Sequence, residues 1–194
     1  MLQKENNEHI PSCIVKWEET CASENLNWKS IYNNAFKTCR STKLQSFQYK
    51  VLNRIIACNH WLFNIKIKDS PNCDTCKIDY TLHHFFIECV KVKPFWNSFN
   101  QWWHRISNMQ QIFSDVNILF GVTSTTPIDK CFNFLLIQAK KYIYDKKLND
   151  IEVISFYSFL HYIKNELILE RSICVSRGRL NYFEVTFGFV LNNL

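Results

Sequence analysis

The sequence predicts a mainly α-helical chain: a small helical domain with an embedded Cys-Cys-His-Cys metal-binding loop and little or no sheet. Three observations lead there. Only three Gly and four Pro occur in 194 residues, which favours long helices over tight turns. Apolar residues recur at three- and four-residue steps through several segments, the signature of one buried helix face. And Pro71–Trp96, PNCDTCKIDYTLHHFFIECVKVKPFW, holds four ligand-type side chains at close, ordered spacing.

Residues 1–27 are acidic and sparse in periodicity, and read as a loose N-terminal arm with one docking turn at Ile14, Val15 and Trp17. Asn27–Lys37 reads as a short helix with Trp28, Ile31, Tyr32 and Phe36 inward. Thr42 followed by Gln45 is a capping-box signal. Leu44, Phe47, Val51, Leu52 and Ile55 then mark an inner face, with Asn59 as an end. Lys43, Lys50 and Arg54 share another face by the same spacing.

The four ligand-type residues are Cys73, Cys76, His84 and Cys89, in the pattern C-x2-C-x7-H-x4-C. Three thiolates and one imidazole form a closed tetrahedral set of the kind that structural Zn2+ takes. A two-residue turn brings the first two sulfurs together, and that stretch is polar and turn-like rather than part of an apolar stripe. His84 and Cys89 lie five apart, about 140° around an ideal helix, so Cys89 is expected where the His84 turn ends. His83 reads as exposed or supporting, or as the ligand in place of His84. The remaining cysteines fit small buried hydrophobes.

After the cluster, Pro94 suits the first turn of a helix with Trp96, Phe99, Trp103 and Ile106 inward. Trp102 or His104 is left for the outer face, where an aromatic could stack on a base. Val116–Val122 reads as a short strand or extended link broken by Gly121, and Ser124–Pro127 as a turn. Ile128, Phe132, Leu135, Ala139, Tyr142 and Ile143 define a strong amphipathic helix. Asp150 is placed as the cap of another, with Ile154, Phe156 or Tyr157, Leu160, Ile163 and Leu167 inward and Gly178 as its stop. Leu180–Leu194 mixes strand propensity with a helical context. The resulting division is 1–27 (arm), 28–108 (basic helix and metal module), 109–127 (linker with a short extended segment) and 128–194 (C-terminal helical region).

The net charge of +6 is modest but uneven. Between Lys37 and Lys93 ten basic residues face four acids, so the positive excess surrounds the metal motif. That asymmetry favours a polyanion, with Lys43, Lys50, Arg54, Lys66 and Lys68 as candidate phosphate contacts. An odd cysteine count behind a polar opening, MLQKENNEHIP, points to a reducing intracellular compartment, nucleus or cytoplasm. No apolar run reaches membrane-spanning length, and neither a membrane nor a small-molecule substrate is expected as partner.

These stretches resemble the C-terminal region of a LINE-type (non-LTR) retrotransposon polyprotein, downstream of its reverse transcriptase. The likeness rests on TKLQSFQYKVLNRIIACN, LFNIKIKDSPNCDTC and TLHHFFIECVKVKPFW. More weakly, ILFG, NFLLIQAKKYIYDKKLN and SFLHYIKNELILERSI resemble the tails of such polyproteins. Mapped by motif, the resemblance assigns the ligands to Cys73, Cys76, His84 and Cys89, and implies a zinc module that holds RNA or single-stranded DNA near the polymerase part of the parent element. Two departures stand out. His83 replaces a frequent acid, and the last fifteen residues are less basic than such tails. No Tyr-x-Asp-Asp box is present, so the paired carboxylates of two-metal nucleotidyl transfer are missing and a fragment or relic without enzymatic activity is expected. A second class of function is a zinc-stabilised protein-interaction module that binds no nucleic acid. A third is a nuclease, on the superficial P-D…D-x-K spacing of Pro127, Asp129, Asp145 and Lys147; those acids fall on a helical pattern, which argues against it.

Overall fold

A computed structural model describes residues 10–22, 26–109, 113–122, 126–148 and 153–194. Among them the fold is helical and has no sheet; its only β feature is an isolated bridge between Asn72 and Asp79. Asp150 lies outside the described residues, as do Ser124 and Thr125 of the expected turn.

The axis of the fold is α7 (Pro127–Leu148). At 22 residues it is about 33 Å long. The sequence predicts one buried stripe, but every residue from 131 to 140 is buried, including Asn133, Gln138 and Lys140. A helix buried all round is a central helix rather than a surface one. Phe132, Leu135, Ala139 and Ile143 form its apolar core as expected. Around it pack α2 (Trp28–Thr38), α3 (Thr42–Leu52) and α8 (Phe156–Ser176), together with the C-terminal turns.

Helix α2 starts at Asn27, whose side chain accepts from Ser30 N at 3.0 Å. Helix α3 opens without the expected capping box: Gln45 Nε2 instead donates to Cys39 O at 2.7 Å. It stops at Leu52, not near Asn59, which begins α4 (Asn59–Asn64). Ile55 is therefore exposed. In α5 (Lys93–Ser107), Pro94 occupies the first turn, and Trp96, Phe99 and Trp103 are buried as predicted. Trp102 is buried as well, 3 % exposed, so it presents no outer face for a base.

Two segments differ from expectation. The supposed loose arm contains a helix, α1 (Ser12–Cys21), because Trp17 is fully buried and donates from Nε1 to Leu52 O at 2.9 Å. The segment expected to be extended is a helix, α6 (Asp115–Phe120), capped by Ser114, whose side chain accepts from Asn117 N. Its apolar run Ile118–Phe120 is too short for periodicity to separate strand from helix. The carbonyls at its end are held by side chains from three helices. Asn34 Nδ2 donates to Phe120 O at 3.2 Å, Gln48 Nε2 to Leu119 O at 2.9 Å, and Asn133 Nδ2 to Val122 O at 2.9 Å. Buried Lys140 also donates to Leu119 O. Gly121 (φ 79°) lies against this lattice: a Cβ there would come within 2.5 Å of Asn133 and Asn34.

Helix α8 runs to Ser176 and stops before Gly178 (φ 64°), with Phe159, Ile163 and Leu167 inward and Tyr157 outward. Phe159, absent from the predicted inner set, is completely buried. The ambiguous tail is helical: α9 (Leu180–Phe183), a π turn at Glu184–Gly188, and α10 (Phe189–Leu191). Among the described residues no helix is long and apolar enough to cross a membrane. All nine cysteines are free thiols.

Candidate metal centre

The motif folds as two local units. Pro71–Tyr80 is a tight hairpin. Cys73 N donates to Ile78 O at 2.8 Å, Tyr80 N to Pro71 O at 2.9 Å, and Lys77 N to Cys73 O at 2.8 Å. Lys77 takes a left-handed conformation (φ 61°), which turns the chain back. The Cys76 amide approaches Cys73 Sγ at 3.5 Å, so both sulfurs sit on one side of the knuckle. Helix α4 supports the hairpin: Asn59 Nδ2 donates to Asn72 O at 2.8 Å, and His60 Nδ1 lies 2.8 Å from Asp79 Oδ1.

The second unit is a single π turn, His84–Glu88. Thr81 starts it, its hydroxyl accepting from His84 N at 3.2 Å. Cys89 N then donates to His84 O at 3.0 Å, five residues back. This closure resolves the 140° problem. A π turn has one more residue than an α turn, so residue i+5 comes to lie above residue i. Cys89 ends the turn (φ −56°, ψ 130°), as the spacing predicts. Phe86, at the middle of the turn, is fully buried; its carbonyl accepts from Trp96 Nε1 at 2.6 Å and its ring meets Phe47 of α3. The turn is thus tied to α5 and to the basic helix.

Ligand atoms of Cys73, Cys76, His84 and Cys89 all lie within 4.8 Å of one another. Cys76 Sγ and Cys89 Sγ are 4.0 Å apart. In a tetrahedral site with metal–sulfur bonds near 2.3 Å the sulfurs stand about 3.8 Å apart, so this pair needs only a small contraction and no pair of ligand atoms starts beyond 4.8 Å. The imidazole of His84 is 1 % exposed and neither ring nitrogen has a hydrogen-bond partner. Glu88 Oε2 is 3.7 Å from Nδ1, beyond hydrogen-bond reach. Buried polar atoms are rarely left unsatisfied, and this imidazole is open to a metal bond. The four residues could hold a metal ion.

Local electrostatics suit ligation. Burial and the neighbouring Lys147 push the His84 pKa down, favouring the neutral imidazole that binds metals. Burial would raise the Cys73 thiol, but hydrogen bonds from the Cys76 and Thr75 amides and from the Cys76 and Cys89 side chains together outweigh it and its pKa falls, favouring thiolate. Burial raises the Cys89 thiol, with Lys147 opposing. Lys147, named in the sequence only for the P-D…D-x-K spacing, has a place at this cluster that sequence reasoning misses. It comes from the end of α7, donates from Nζ to Phe85 O at 2.7 Å, and lies over the Phe85 and Tyr80 rings at 4.4 and 5.0 Å. A set of three thiolates around a divalent ion carries net negative charge, and Lys147 is the cation that faces it. With Lys68 and Lys91 it lines a cavity of about 480 Å3 that also touches Cys73 and Cys89.

His83 is not in the cluster. Its Nε2 lies 3.1 Å from Asp115 and its Nδ1 3.4 Å from Glu88, which links α6 to the π turn. Of the predicted phosphate contacts, Lys43, Lys50, Lys66 and Lys68 are exposed. Arg54 does not share the α3 face, since it follows the end of that helix with φ 57°. Its guanidinium stacks 4.4 Å over Trp17, and burial lowers its pKa. The P-D…D-x-K set does not assemble: Asp129 and Asp145 lie on one helix, sixteen residues or about 24 Å apart. Each is engaged locally, Asp129 with Thr126 and Asp145 with Lys141. No family model and no curated protein matches the chain.

Proposed function

We propose that this chain is a zinc-organised nucleic-acid-binding module of the type found at the C-terminal end of non-LTR retrotransposon reverse-transcriptase polyproteins. The observation that carries the reading is the convergence of three thiols and one unpartnered imidazole in a region that also exposes Lys43, Lys50, Lys66 and Lys68. Three sulfurs and one nitrogen select Zn2+ over the harder divalent ions. Zinc would be held by Cys73, Cys76, His84 and Cys89, and would supply structure rather than chemistry, because four protein ligands leave no position for water or substrate. Its role is mechanical: it closes the hairpin onto the π turn, and Phe86 then braces Phe47 on α3. Lys43 and Lys50 on that helix, with Lys66 and Lys68 before the hairpin, would contact the phosphates of RNA or single-stranded DNA. The polymerase part of a parent element is the protein partner this reading implies.

Salt-dependent binding of RNA and single-stranded DNA tests it. Affinity should fall steeply with salt, and Lys43→Glu with Lys50→Glu should weaken binding at low salt. Unchanged affinity in that variant would remove the basic face from the account. A second reading has its own support. Ile168, Leu169, Ile173 and Val175 leave apolar surface exposed along the second half of α8, where a protein could dock. Absence of any nucleic-acid shift at about micromolar protein would favour that interaction module.

A further inference from the structure

A second cationic site lies away from the metal ligands in sequence. The end of α2, the start of α7 and the start of α9 enclose a cleft of about 520 Å3, within the range of small-ligand pockets. Lys37, Arg40, Lys130 and Arg179 line it, and no carboxylate does. Arg40 is held in place from two sides: its Nε is 3.2 Å from Glu170 Oε1 and its guanidinium lies 5.3 Å from the Tyr182 ring centroid. Among the described residues, Lys37, Lys130 and Arg179 have no carboxylate within ion-pair distance. Beside these cations Phe36 is 61 % exposed. Its helix buries Ile31, Ala35 and Thr38, so Phe36 sits on the wet side, where an aromatic ring contributes nothing to the core.

We propose that this cleft binds a nucleotide unit, with its phosphate among Lys37, Arg40, Lys130 and Arg179 and its base laid on Phe36. Guanidinium and ammonium groups match a phosphate, and an exposed ring offers a π face to any base. The same chemistry is presented by a single strand and by a free nucleotide. The strand as source rests on the proposed nucleic-acid function; the free nucleotide does not.

The test uses the full chain with two probes: a labelled oligo(dT) of about a dozen nucleotides, followed by fluorescence anisotropy, and AMP, followed by calorimetry. Phe36→Ala should weaken binding about tenfold, the size of one lost base stack. Lys37→Gln with Lys130→Gln should lower the oligonucleotide's salt slope by about 1.4, or ~0.7 per phosphate contact. Lys164→Gln, on exposed α8 surface, should change neither. These side chains lie at the surface or half-buried, and melting temperature checks that each variant folds. Oligonucleotide binding unaffected by the cleft variants would overturn the cleft and leave the nucleic-acid reading standing. AMP binding that the variants abolish, with no oligonucleotide binding, would support the cleft and overturn that reading. Binding of neither probe would overturn both.

Discussion

Lys147→Met removes one cation from beside the metal ligands while keeping the length and apolar stem of the side chain. The lost contacts are the 2.7 Å bond to Phe85 O, inside the turn that carries His84, and the charge facing the thiolates. A hydrogen bond from a charged donor contributes about 1.5–3 kcal/mol. If that loss falls on the metal-bound state, zinc affinity drops about 10–150-fold, in line with the ~10–100-fold cost of losing a group that orients or balances a metal site. Competition against a chromophoric chelator at neutral pH measures it. The control is Lys141→Met on the same helix, which breaks the partly exposed pair with Asp145 and a 5.9 Å approach to the Phe47 ring but touches none of the four ligand residues. Its zinc affinity should stay within about twofold, since such pairs contribute little. Equal affinity in the Lys147→Met variant and the parent would refute the electrostatic role assigned to Lys147.

Gly121→Ala should destabilise the fold by about 2–5 kcal/mol, from a glycine-type backbone at φ 79°, ψ 178° and displaced Asn34 and Asn133 side chains. At ~2–4 °C per kcal/mol that is a loss of about 4–20 °C in melting temperature; a change under about 2 °C would contradict the lattice at the end of α6. Burial holds the Lys140 pKa down at about 7, below its unfolded value of 10.5. Between these values the unfolded chain binds the extra proton, so stability should rise as pH increases from about 7 and fall as pH drops through it. Cys39, pushed up from 9.0 to about 12, acts oppositely above pH 9. Urea titrations from about pH 7 to 9 should therefore show a slope that Lys140→Met abolishes; an identical slope in both proteins would remove Lys140 as its source. Zinc uptake should release protons, because buried thiols must ionise to bind; pH-stat titration with zinc that releases none would argue against thiolate ligation.

Much of this architecture is legible in the sequence because its signals are local. The C-x2-C spacing specifies a knuckle, and the His84–Cys89 offset already requires something other than an α turn. Phe132, Leu135, Ala139 and Ile143 mark a helix that the structure places at the centre. What was hidden depends on distant partners. Lys147 reaches the cluster from 58 residues beyond Cys89, and no spacing rule joins them. Trp17 docks as its segment suggests, but the full helix around it, held through Leu52 O, is not announced by an acidic, weakly periodic stretch. Arg54 fits the helical spacing of Lys43 and Lys50 but lies past the helix end, where it stacks on the Trp17 ring. Segment 115–120 has strand-like composition, and its helix is fixed by Ser114 and by side chains of α2, α3 and α7. In each case a tertiary contact decides what local propensity leaves open.

Whether three sulfurs and one imidazole share an ion is settled by elemental analysis of the purified chain, parent beside Cys76→Ser. The account predicts about one zinc per parent chain, removed by chelation with loss of ordered structure around the hairpin, and none in the variant. A parent free of zinc, or a Cys76→Ser chain that retains a full equivalent with unchanged affinity, would contradict it.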